Sequence, residues 1–115
     1  MACIFGTTMA QIQLVQMPTA AIGLTPTCIS VLNQPVNCHP SFKWAGKSGK
    51  FETDITVANV CTVSCSTGLT TWLRRIESAC AGTKLSRSDG YQVLPAYYAQ
   101  VFIERWNLLC YKEAP

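Results

Sequence analysis

Seven cysteines in 115 residues are the densest source of chemistry in this chain. Six run from Cys28 through Cys38, Cys61, Cys65 and Cys80 to Cys110, and Cys3 stands apart near the start. Thiols at this density either hold a metal or pair oxidatively. A zinc site asks for close ligand pairs. Cys61 and Cys65 have such a separation, but no second close pair accompanies them, and His39 is the single histidine. Metal and cofactor are therefore both expected to be absent. An even, irregularly spaced set of six in a small domain reads instead as three disulfides. Ser64 to Ser66 looks like a tight junction between helices, so Cys61 and Cys65 should point to different neighbours rather than to each other. Spacing alone selects no pairing.

Other reactive side chains are sparse. A catalytic His39 would need a nucleophile and an orienting acid, and it reads more simply as a loop histidine between Cys38 and Pro40. The carboxylates Glu52, Asp54, Glu77, Asp89, Glu104 and Glu113 form no pair at helical spacing, and no Gly-rich phosphate loop occurs. An enzyme is not expected. Aromatic faces are the remaining chemistry, since sugars stack on them. Trp44 sits with Phe42 in a basic loop, where both can also tuck back onto the core, and Tyr91, Tyr97 and Tyr98 flank a polar one. These five form the candidate ligand surface. Trp72 and Trp106 lie on helical stripes and read as core.

The elements that must position these groups read as helices. After Ser66, a good N-cap, the residues Leu69, Trp72, Leu73, Ile76 and Cys80 repeat at one face, with Arg74, Arg75, Glu77 and Ser78 on the other. Gly82 suits the left-handed position after such a helix. A last helix begins near Pro95, with Ala99, Phe102, Ile103, Trp106 and Cys110 inward. A short helix follows Thr27 as N-cap and stops at Pro35. Another is capped by Thr53 or Asp54, with Ile55, Ala58 and Cys61 inward, although its β-branched content makes a strand the alternative. Residues 39–50 and 83–90 read as loops. The fold class is all-α: a bundle of about four short helices, tied by three disulfides because a core this small needs staples.

Composition bounds the rest. Charged residues make up 13% of the chain, hydrophobic ones 49%, and the net charge is +3. The basic residues are scattered, so no nucleic acid is implied. No apolar run is long enough to span a membrane. Disulfides require an oxidising compartment, which places the protein outside the cell. Residues 1–26 read as a weak signal-like or non-native segment, and residues 27–113 as the cysteine-rich helical domain.

The stretch "VCTVSCSTGLTTWLRRIESAC", followed by "YYAQVFIERWNLLCYKE", resembles the cysteine-rich N-terminal segment of secreted fungal LysM proteins. The resemblance rests on Cys61, Thr62 and Cys65, on Leu69, Trp72 and Cys80, and on Tyr97, Tyr98, Trp106, Asn107, Leu108 and Cys110. Upstream, "CISVLNQPVNCHPSF" is similar to that family's first cysteine pair, Cys28 and Cys38. It implies a non-enzymatic, effector-like protein whose partner is chitin or another cell-wall glycan. No LysM repeat is found, so a purely structural module of a longer LysM protein is a further reading. The cysteine rhythm also resembles the elicitins, helical proteins with a sterol-holding cavity. That likeness implies a lipid or sterol carrier, and the pairing Cys28–Cys80, Cys38–Cys65 and Cys61–Cys110.

Overall fold

The structure is a computed structural model, and it describes residues 11–21, 23–43, 54–87 and 89–111, with side chains from residue 57 onward in the third of these. Cys3 and Trp44 lie outside them. In chain order the elements are β1 (Ile12–Gln13), α1 (Pro26–Leu32), β2 (Pro35–Val36), a 3₁₀ turn (Pro40–Lys43), α2 (Asp54–Val60), α3 (Val63–Ala79), β3 (Leu85–Ser86), β4 (Gln92–Val93) and α4 (Ala96–Tyr111). The protein is mostly helical, but all-α needs correcting. β1 pairs antiparallel with β2, and β3 with β4. Each strand is two residues long, too short to carry a readable alternation.

The two helices that carry buried cysteines near their starts begin alike. Thr25 caps α1 by accepting from the Cys28 N–H at 3.1 Å, and Thr62 caps α3 by accepting from the Cys65 N–H at 3.1 Å. Each is a Thr-x-x-Cys step, so the cap fixes where the cysteine points in the first turn. The predicted caps Thr27 and Ser66 are therefore corrected to Thr25 and Thr62. Pro26 fits the first turn of α1, where its missing N–H costs nothing. In α3 the earlier cap wins because the residues up to Ser66 all accept helical geometry. The Ser66 N–H already donates to the Thr62 carbonyl at 3.1 Å. The extra turn also brings Cys65 onto the buried stripe with Leu69, Trp72 and Ile76. The junction between α2 and α3 accordingly lies at Cys61–Thr62, not at Ser64–Ser66.

α3 is the centre of the domain, packed on α1 along one side and on α4 along the other. Its own Ile76 and, around it, Leu32, Phe42 and Val60 are fully buried. In α2 the buried positions are Val57 and Val60, whereas Ala58 is exposed. The predicted inward set of Ile55, Ala58 and Cys61 is thus replaced. The side chain of Ile55 lies outside the described residues, and Cys61 is half-buried just past the helix end. Gly82 has a φ of +78°, two residues beyond the capping Cys80, in the left-handed region glycine favours.

Disulfides join Cys28 to Cys80, Cys38 to Cys65 and Cys61 to Cys110. This is the order that the elicitin resemblance implies. The first bridge ties the start of α1 to the end of α3. The second ties the segment after β2 to the first turn of α3. The third ties the α2–α3 junction to the last turn of α4. Each closes a loop of 27 to 52 residues, and such a loop loses about 3.5–4 kcal/mol of unfolded-state freedom in the chain-entropy picture.

The boundary expected at residue 26 moves toward the N-terminus. Leu14 and Val15 are buried in the same core cluster as Leu32 and Trp72. The Asn33 side chain receives the Met17 N–H at 2.6 Å and donates to the Met17 carbonyl at 2.9 Å, imitating a strand pairing. Gln13 Nε2 donates to the Asn33 carbonyl at 2.9 Å. Residues 11–17 are therefore a strap stitched to the end of α1 rather than a separate segment.

Candidate functional site

The predicted aromatic surface divides on inspection. Phe42 does not belong to it. Its side chain is fully buried under the 3₁₀ turn, 6.1 Å from the Phe102 ring centroid. The short turn swings Phe42 inward, where removing an aromatic ring from water outweighs any loop freedom. Trp44 lies outside the described residues. The three tyrosines remain, Tyr91 just before β4 and Tyr97 and Tyr98 at the start of α4.

The local chain explains their exposure. The loop between β3 and β4 closes through the Arg87 N–H donating to the Tyr91 carbonyl at 2.9 Å and the Gly90 N–H donating to the Arg87 carbonyl at 3.0 Å. Asp89 accepts from the Tyr91 N–H at 3.1 Å and pairs with Arg87 at 2.8 Å. Pro95, buried, then starts the turn into α4, with the Tyr97 N–H donating to the Leu94 carbonyl at 2.9 Å. This leaves Tyr91 72% exposed and Tyr97 53% exposed. Leu94 lies between them, 59% exposed, and the sequence reading missed it because it belongs to no stripe. Tyr98 is half-buried against the core and meets Tyr97 edge-on with centroids 5.8 Å apart. It supports the surface from beneath more than it extends it. The result is an exposed apolar and aromatic stretch of chain from Tyr91 to Tyr97, with the Arg87–Asp89 pair in the preceding loop.

The other tryptophans are structural. Trp72 Nε1 donates to the Val31 carbonyl at 3.0 Å, and Trp106 Nε1 to the Val60 carbonyl at 2.9 Å. Both acceptors lie in the last turn of a short helix, where no i+4 N–H reaches the carbonyl; each also accepts a turn N–H, from Gln34 at 3.2 Å and from Thr62 at 2.8 Å. Each indole therefore fills the core and closes a helix end. His39 works locally too. The Ser41 N–H donates to its Nδ1 at 3.1 Å, so the ring caps the 3₁₀ turn.

Among the described residues, no group of histidine, cysteine and carboxylate side chains could hold a metal ion. A groove of about 600 Å³ is lined by Thr19, Pro26, Ile29, Ser30, Asn33, Gln34 and Pro35. It opens to solvent outside the core, and its Asn33 is already engaged with Met17. A sterol would be left wet there, so nothing in this groove favours a carrier.

Residues 10–115 match the family described as the secreted LysM effector N-terminal domain. This chain belongs to that family. A LysM domain-containing protein of Arthroderma benhamiae is similar, 31% identical over 100 residues. The aligned part is 83% of this chain but 19% of that relative, so the chain spans about a fifth of the protein it matches. No solved structure matches. Membership of a family of secreted proteins places the domain outside the cell, where the three disulfides are chemically stable. No described helix is long and apolar enough to cross a membrane.

Proposed function

We propose that this domain is a non-enzymatic part of a secreted fungal LysM effector that contacts chitin or a related cell-wall glycan through the exposed stretch of Tyr91, Leu94 and Tyr97, backed by Tyr98. The observation that carries this reading is the exposure of two tyrosines and a leucine on one short stretch, in a chain of a LysM effector family. Aromatic faces suit the apolar side of a pyranose ring, and an uncharged polymer needs no charged partner. Retention of the chain on insoluble chitin tests it. Binding that falls at least about tenfold, or about 1.4 kcal/mol, in Tyr91→Ala and Tyr97→Ala supports the reading. Full recovery of the parent chain in the unbound fraction sinks it.

A second reading is favoured by the relative's length. Since the match covers 19% of that protein, the domain can serve as a folded module that holds or spaces glycan-binding repeats carried elsewhere. In that case the parent chain and both tyrosine variants behave identically on chitin.

A further inference from the structure

α4 turns Ala99, Phe102 and Trp106 toward the core. At 3.6 residues per turn, Tyr97, Val101, Glu104, Leu108 and Tyr111 fall along the opposite side. This outer row is almost wholly apolar. Tyr97 is 53% exposed, Leu108 75% and Tyr111 78%. Val101 is half-buried, and Glu104 is the row's one charge. A helix face that meets only water has no use for such a row.

The row steps by four, three, four and three residues, the spacing of a helix–helix seam. It also reads the same in both directions: tyrosine, aliphatic, glutamate, aliphatic, tyrosine. A row of this kind is self-complementary about a two-fold axis through Glu104. We propose that the outer face of α4 pairs with the same face of a second copy, antiparallel. Tyr97 then meets Tyr111 of the second copy, and Val101 meets its Leu108.

The area sets the strength. Two tyrosines and a leucine, at their stated exposures, offer roughly 400 Å² per copy on side chains of this size. Both faces together reach about 800 Å², below the standard interface, which implies a weak and reversible pair. Glu104 faces its counterpart near the axis, and like charges there weaken the pair further. A single polar residue in a seam also fixes its register. The pair covers Tyr97, which the glycan reading also uses, but it does not rest on that reading, and its test uses Leu108, Tyr111 and Glu104, which that reading does not.

Sedimentation equilibrium of the full chain from about 10 μM to about 1 mM is the test. A monomer–dimer equilibrium is expected within that range. Leu108→Glu should abolish it with an unchanged thermal melt, since the side chain is largely exposed, and Tyr111→Ser should do the same. Glu104→Gln should tighten the dimer by about tenfold. A parent chain that stays monomeric throughout overturns the proposal, and so does a dimer that both Leu108→Glu and Tyr111→Ser leave intact.

Discussion

α3 and α4 are nearly equal in length, 17 and 16 residues, and each is tied by a disulfide at its C-terminal end. They solve different problems. On α3 the inner stripe of Cys65, Leu69, Trp72 and Ile76 is no more than 2% exposed, and Arg74, Arg75, Glu77 and Ser78 face water. On α4 Ala99 is the buried residue, its larger inner residues are half-buried, and its outer row is apolar. Folding accounts for the stripe of α3 from Cys65 to Ile76, because that helix has neighbours on both flanks, and only Val63 in its first turn is a large apolar side chain left exposed. It does not account for Leu108 or Tyr111. The difference separates a helix that the domain needs from one whose outer face is spare for contact.

Substitutions can break or sharpen this contrast. The largest effect is expected at Trp72→Ala, which empties the centre and removes the indole hydrogen bond to the Val31 carbonyl. A loss of about 3–5 kcal/mol in denaturant unfolding is expected, and a loss under about 1 kcal/mol would mean α3 is not the centre. Next, replacing Cys61 and Cys110 together by serine should cost about 2–4 kcal/mol. That bridge joins two half-buried cysteines, while the other four are at most 5% exposed. Limited thiol reductant followed by alkylation and peptide mapping should therefore label Cys61 and Cys110 first. Labelling of Cys38 or Cys65 ahead of them would contradict the burial pattern.

A smaller effect, about 1–3 kcal/mol, is expected for Asn33→Ala, which removes both hydrogen bonds to Met17. Amide exchange would then speed up at Met17 and at the β1–β2 pair. Unchanged protection there would show that the strap is held by Leu14 and Val15 alone. Smallest of all, Leu108→Ser should alter the monomer's stability by no more than about 0.5 kcal/mol. A larger loss would mean that α4's outer face is packed after all.

Much of the helical plan was legible in residue types. The stripe from Leu69 to Ile76 needs only the 3.6-residue period, and Pro95 and Gly82 mark ends by their own backbone limits. Caps were harder. Thr25 and Thr27, or Thr62 and Ser66, are equally competent as isolated side chains, and the choice falls to whichever turn places Cys28 or Cys65 inward. Phe42 could be read either as tucked onto the core or as part of a ligand surface, and only the direction of its 3₁₀ turn decides for the core. Residues 11–17 read as part of a signal-like or non-native segment because their partners, β2, Asn33 and the core under Leu14 and Val15, lie well along the sequence. In the candidate stretch, the tyrosines were visible from their types, but Leu94 emerged only once Pro95 turned the chain.

The residues alone determined that short helices would form, where their apolar faces lay, and that six cysteines would be oxidised in pairs. Those properties arise within a turn or two of backbone. The tertiary structure alone decided which carbonyl each indole closes, that the N-terminal strap belongs to the core, and that α4 keeps an apolar row outside. These depend on surfaces meeting across tens of residues, and local propensity carries no information about which surfaces meet.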